Sequence, residues 1–286
     1  MIIDKHFDNL HKKYVSTNPM TKISIITATY NAASTVSDCL HRVASQTFPA
    51  EHLIIDGAST DGTLEIISRL TASNPSHLMS LVSEKDKGIY DAMNKGIGLA
   101  TGEVVGILNA DDFYASPLVL EKVARVFEDP TVMSCYGDLE YVRERETGIV
   151  KRETCSSPLT PHPSPFTVVR YWKSGPFSPE SFYWGWMPPH PTFFVRRSVY
   201  ERFGLFSLDQ GSAADYELML RLLLKERITT AYIPEVLVRM RVGGASNASL
   251  QGRLKANRMD RRAWEVNGLK PYPWTIVIKP LRKELQ

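Results

Sequence analysis

The sequence predicts an α/β protein built on an open, mostly parallel sheet, and three observations predict it. Short β-branched runs alternate with helically spaced apolar residues about four times in the first half of the chain. The runs are continuously apolar, as strands covered on both faces are. Each run ends in polar residues, so one edge of the sheet collects the chemistry.

Residues 1–21 are polar and weakly patterned and form an N-terminal extension. The first strand is Ile23-Ser24-Ile25-Ile26-Thr27. Val36, Leu40, Val43 and Ala44 then repeat at helical spacing behind a cap at Ser34. Leu53-Ile54-Ile55-Asp56 is a second strand ending in an acid, and Leu64, Ile67 and Leu70 mark the next helix. Met79–Ser83 reads as the third strand, Ile89–Leu99 as a helix and Val104–Leu108 as the fourth strand. That strand runs into Asn109-Ala110-Asp111-Asp112. Clustered carboxylates repel one another, so such a corner normally holds a divalent cation; the alternative is a cap for the helix that Pro117-Leu118-Val119-Leu120 begins.

Residues 155–191 change character, with prolines set among aromatics, which excludes long helices and predicts an ordered loop that packs or binds. Regular structure resumes with Thr192-Phe193-Phe194-Val195, then Val199–Phe203, and a strong helix over Tyr216–Lys225. Arg253–Trp264 reads as a polar helix, and the chain ends in a basic, apolar tail.

Composition narrows the function classes. A formal charge of +3 is too mild for a nucleic-acid binder. Cys39, Cys135 and Cys155 are widely spaced, with no CxxC pair; this predicts a reducing compartment and no structural zinc. The first residues lack a signal-peptide pattern, and no apolar stretch approaches the ~20 residues of a membrane span. The expectation is a cytoplasmic protein, peripheral to a membrane at most.

Four polar clusters share the predicted edge: Thr27 to Asn31, Asp56, Ser83 to Gly88, and the acid pair. Neither GxGxxG nor GxxxxGK[ST] follows the first strand. A nucleotide bound here without those loops needs a metal to neutralise its diphosphate. No GxSxG elbow supports a serine hydrolase.

Several segments, in order, resemble the family 2 glycosyltransferases: ISIITATYNA, IIDGASTDGT, SEKDKGIYDAMNKGI, GILNADD and AADYELMLRL. The resemblance covers roughly residues 22–225 and implies the GT-A fold, with a nucleotide-sugar half over about 22–115 and an acceptor and catalytic half over about 116–225. Residues 226–286 are then a C-terminal extension. It also implies inverting transfer of a hexosyl or N-acetylhexosaminyl group from a nucleoside-diphosphate donor, with manganese or magnesium, to a glycan or lipid-linked acceptor in cell-surface polysaccharide assembly.

By that resemblance Thr27, Thr29 and Asp56 contact the nucleotide, and Asp86 and Lys87 lie beside nucleotide or sugar. The metal motif falls on Asn109-Ala110-Asp111 with its first acid replaced, which puts the metal on Asp111, with Asp112 assisting or capping. The acid pair that supplies the base falls on Ala214-Asp215, leaving Asp215 as the base or, alternatively, as a helix cap. His190 reads as touching acceptor or diphosphate, or as held by its flanking prolines. Trp184 and Trp186 read as stacking on the acceptor sugar, or as packing the loop. The Trp264–Lys283 segment mixes aromatics and cations as a membrane-interfacial tail does; its prolines preclude one long amphipathic helix, and docking back on the domain is the alternative. A nucleotidyltransferase and a non-catalytic nucleotide-sugar-binding module are the competing readings.

Overall fold

The computed structural model describes residues 21–73, 78–145, 165–243 and 250–285. Residues 1–20 of the N-terminal extension, and Cys155 with the first prolines of the 155–191 segment, lie outside these.

Strands β1 (Ile23–Thr29), β2 (Ala50–Asp56), β3 (Met79–Ser83) and β4 (Val104–Ile107) alternate with helices α1 (Val36–Ala44), α2 (Thr63–Ser73) and α3 (Ile89–Leu99). All four strands are parallel, in the order β3-β2-β1-β4, so their C-terminal ends share one edge. Every residue of β1 is buried, which is why it reads as an unbroken apolar run. On α1 the buried residues Val36, Cys39, Leu40 and Val43 follow the helical period. The helix starts at Thr35 without a side-chain capping bond, not at the expected Ser34. On α3, Gly96 lies against the Ile26 side chain, a contact any Cβ would block.

Beyond β4 the sheet turns mixed. It continues through β8 (Phe194–Arg196), β6 (Ser134–Glu144), β9 (Thr230–Arg241) and β5 (Asp112–Tyr114), while β7 (Phe166–Trp172) pairs with β6. The β6–β9 pairing is parallel and slips around Gly137 and Asp138, opposite Ile233 and Val236. The slip accommodates Pro234, which has no N–H to donate to a ladder. Helices α4 (Val119–Val126), α5 (Arg197–Phe203) and α6 cover this half; α6 runs over Ala214–Met219 and widens to a π-turn over Leu220–Lys225. The Leu-rich end of α6 is buried on nearly all sides.

Two expectations need correction. The break placed after Lys225 is not a break in the sheet, because β9 lies beyond it and pairs with both β6 and β5. The Pro-rich segment is not all loop: β7 extends the sheet edge, and short 3₁₀ turns at Pro179–Trp184 and His190–Thr192 follow it. The last elements are α7 (Leu250–Val266) and α8 (Thr275–Leu285). They dock on the domain through buried Trp264, Thr275 and Ile276. No helix among the described residues is long and apolar enough to cross a membrane.

Candidate active site

The parallel strand ends gather the donor-side residues. Asp56, the last residue of β2, is fully buried, and its carboxylate accepts from Ser59 N at 3.0 Å, from Ser83 Oγ at 2.7 Å and from Ser59 Oγ. Thr29 is in register with it on β1, and its buried hydroxyl has no protein partner. Asn31 and Ala58, on the loops after β1 and β2, both take positive φ, at 50° and 63°. Two bonds lock these loops together: Asn31 N donates to Ser59 Oγ at 2.8 Å and Thr60 N to Asn31 Oδ1 at 2.9 Å. Strain at non-glycine residues held this way is typical of ligand edges.

Asp86 closes this end. Gly88 N donates to its carboxylate at 2.8 Å, and a Cβ on Gly57 would stand 2.6 Å from the other oxygen. Tyr30 projects beside Gly57, with two thirds of its side chain exposed, a flat apolar surface that suits a nucleobase. The sequence reading missed Tyr30, although it sits in the strand-end cluster. Lys87 is exposed, its backbone N–H held by Asp91 at 3.0 Å. Thr27 is placed differently: its hydroxyl points inward and shares a hydrogen bond with His52 Nε2 at 2.9 Å, one β-strand away. Thr27 therefore braces β1 against β2 and offers no hydroxyl to a ligand.

The acidic corner is tied to β9. Asp112 begins β5, opposite Met240, rather than capping a helix; α4 starts after Leu118, with Gln46 Oε1 accepting from Leu120 N at 3.1 Å. Arg241 donates to the Asp111 carbonyl at 2.8 Å and pairs with Asp38 at 2.7 Å. Asp112 is buried, and burial, with Asp111 adding to it, holds its carboxyl well above the usual range; Asn109 and Arg241 act the other way. Asn109 Nδ2 donates to Asp112 at 3.2 Å, which leaves Asn109 Oδ1 and Asp112 Oδ1 buried without a partner. Asp111 is half-buried at the surface of this corner. No group of three or more His, Cys, Asp and Glu among the described residues forms a metal cage.

Asp215 stands in the first turn of α6, half-buried, where the helix N-terminus favours its charge. It lies inside the helix, after the N-cap Ala213, and its carboxylate accepts from the adjacent Tyr216 N at 2.7 Å. Tyr90, in the first turn of α3, lies close enough to Asp215 for that charge to act on its hydroxyl. Burial first and the Asp215 charge second push the Tyr90 hydroxyl pKa up, so it stays protonated. His190 also faces Asp215: burial pulls its imidazole below the usual range and the Asp215 charge opposes this. Phe206 carries both rings, at 5.4 Å from Tyr90 and 5.4 Å from His190. Asn94 fixes Phe206 through reciprocal 2.9 Å bonds to its backbone. Tyr90 and Asn94 are a helical turn apart in YDAMN, a spacing that could have flagged them.

Burial raises the pKa of Tyr141 on β6, Arg170 opposes this, and the charges of Asp112 and Asp215 add to it. The Arg170 guanidinium covers its ring at 3.9 Å. The two tryptophans are not part of this centre. Trp186 is core: its indole N–H donates to Ser174 O at 2.7 Å and its ring packs against Tyr136, Phe177 and Phe182. Trp184 is half exposed and lies against Trp274 of the C-terminal segment. Neither ring presents a free face beside Asp215.

With this geometry in place, comparison with known proteins is decisive. The profile of glycosyl transferase family 2 matches residues 24–203, most of the sheet and the whole donor edge. The chain belongs to glycosyl transferase family 2. A PGL/p-HBAD biosynthesis glycosyltransferase of Mycobacterium bovis is 28% identical over 227 residues, 78% of each chain. An uncharacterised glycosyltransferase of Nostoc is 31% identical over 134 residues, 46% of this chain and 41% of its own. Among solved structures, S. aureus TarS superposes with a TM-score of 0.60 at 17% identity, over 85% of this chain, which spans 39% of TarS. A Pyrobaculum calidifontis mannosyltransferase in complex with GDP-Man and Mn2+ does so with 0.59 at 19% identity, over 94% of this chain and 70% of that one. These likenesses establish the GT-A fold. The family 2 glycosyltransferase assignment displaces the nucleotidyltransferase reading.

Proposed function

We propose that this glycosyltransferase moves a hexosyl or N-acetylhexosaminyl group, with inversion, from a nucleoside-diphosphate sugar to a hydroxyl of a glycan or lipid-linked acceptor in cell-surface polysaccharide assembly. One observation carries the reading: Tyr90, which follows the Ser83 to Gly88 cluster, and His190 both pack on Phe206, and both lie within range of the Asp215 charge. Donor site and base are therefore parts of one centre.

In this reading the nucleoside lies along Thr29, Tyr30, Asp56 and Asp86. The acceptor oxygen attacks the anomeric carbon while its proton passes to the Asp215 carboxylate, and the sugar–phosphate bond opens on the opposite face. His190, neutral because of burial, hydrogen-bonds acceptor or diphosphate without adding charge. Tyr90 and Phe206 hold the base and exclude water.

A divalent cation fits the corner at Asn109 to Asp112. The half-buried Asp111 carboxylate and the unpartnered oxygens of Asn109 and Asp112 are hard donors, the kind manganese or magnesium takes. When bound, the cation offsets charge developing on the leaving diphosphate. With one acid replaced by Asn109, the protein supplies few ligands, and metal and donor bind together. The mannosyltransferase solved with GDP-Man and Mn2+, and TarS solved with UDP-GlcNAc, support a nucleotide-sugar donor.

A thermal-shift panel of UDP, GDP and dTDP sugars, with and without manganese, tests the reading. One donor class should raise the unfolding temperature only with metal, and Asp111→Ala should remove the metal dependence. A shift that is equal without metal, or that survives in Asp111→Ala, would refute the proposed corner.

A further inference from the structure

The site leaves one surface unexplained. Trp184, Tyr272 and Trp274 are 50%, 46% and 43% exposed, yet their rings form one plate. Trp274 lies 5.9 Å from Trp184 and 5.0 Å from Tyr272, ring centre to ring centre. Single exposed apolar side chains are ordinary; a contiguous aromatic plate is a contact surface.

The plate is rigidly mounted. Thr275 is buried and its hydroxyl donates to Tyr183 O at 2.7 Å, and Ile276 points into the core. Gly185, at φ 73°, lets α8 press so close that a Cβ there would stand 2.6 Å from Lys279 Cα. Rings from two distant segments are therefore held together before binding, which lowers the entropy cost of docking them.

Beside the plate runs an open cleft of about 390 Å³, bounded by Arg258 and Arg261 of α7 on one side and by Pro273, Ile276 and Val277 on the other. Both arginines are exposed, and none of the ion pairs among the described residues involves them. One wall thus offers guanidinium groups to anions and the other an apolar surface. That division matches an amphiphile with a phosphate head and a hydrocarbon tail.

We infer that this face, formed by the aromatic plate and the Arg258–Arg261 cleft, docks the enzyme on an anionic phospholipid surface. Indole and phenol rings settle at the boundary between headgroups and acyl chains, and guanidinium groups meet the phosphates. The same helices brace α6: Trp264 and Lys279 both contact Tyr216, the neighbour of Asp215.

Co-sedimentation of the full chain with vesicles tests this without any donor or turnover, so its failure is separable from failure of the glycosyl-transfer reading. The protein should bind phosphatidylcholine vesicles that contain phosphatidylglycerol, bind pure phosphatidylcholine far more weakly, and be released by high salt. Arg258→Gln with Arg261→Gln should weaken binding roughly 30-fold, from about 1 kcal/mol per cation near the surface. Trp274→Ser should weaken it about tenfold, and unchanged unfolding temperatures would show that both proteins are intact. Absence of vesicle binding, equal binding to both vesicles, or wild-type binding by the folded double variant would overturn the inference. So would concentration-dependent self-association that the Trp274→Ser change abolishes, which assigns the face to a second copy.

Discussion

The indole N–H of Trp264 donates to the Tyr216 hydroxyl at 3.0 Å, joining helix α7 to the residue beside Asp215. Asn267 adds a second tie, its side-chain amide donating to Glu217 Oε1 at 3.2 Å, and Glu217 pairs with Arg221 at 3.0 Å. The C-terminal helices are thus a brace for the helix that carries the base. Replacing Trp264 with Phe should cost about 1–2 kcal/mol of unfolding free energy, because it strands a buried hydroxyl. Trp264→Phe combined with Tyr216→Phe should cost less than the sum of the two, a coupling that denaturant titration of the four proteins measures.

Tyr90→Phe probes how the base is set. The hydroxyl lies beside Asp215, so its loss disturbs the polar setting of the base. Turnover should fall about tenfold with the donor KM unchanged. A fall in donor affinity with kcat unchanged would place Tyr90 in donor binding instead.

Gly57→Ala tests the donor edge. A methyl group 2.6 Å from the Asp86 carboxylate must push that side chain away from its Gly88 bond. The expected result is donor binding weakened about tenfold with little change in stability, measured by calorimetric titration of the donor.

Sequence carried the donor half further than the acceptor half, for physical reasons. Parallel strands covered on both faces, such as Ile23–Thr29, write themselves as unbroken apolar runs, and their ends mark the site edge without further information. Strand β6 is central and mostly buried yet mixes glycine, charged, aromatic and aliphatic residues, and β7 lies on an exposed edge among prolines; neither pattern announces a strand. Strand β9 is broken by Pro234, whose bulge is visible only against its partner. Burial also decides roles that residue type cannot: Thr27 and Trp186 look like ligand contacts in sequence, and the fold turns both inward. Tyr90 was overlooked because its meaning depends on Asp215, which is remote in sequence and adjacent in space.

His52 gives the protein a pH signature. It is buried between β-strands, and burial pulls its pKa from 6.5 down to about 3. The unfolded chain takes up a proton below pH 6.5 that the folded protein refuses until about pH 3, so stability from the neutral ring is present above 6.5 and lost as the pH falls. The unfolding free energy of wild type relative to His52→Asn should drop by roughly 1.4 kcal/mol per pH unit below 6.5. The raised carboxyl of Asp112 acts with the opposite sign but is common to both proteins and cancels in the difference. A pH-independent difference, from urea titrations across this range, would contradict the buried neutral ring.

The central claim is that Asp215 takes the acceptor proton. Asp215→Asn keeps the size and the Tyr216 contact while removing the base. Single-turnover glycosyl transfer by this variant, at saturating donor and manganese, is the most direct measurement. The account predicts wild-type donor affinity with transfer slowed about 10²–10⁴-fold; transfer at the wild-type rate would contradict it.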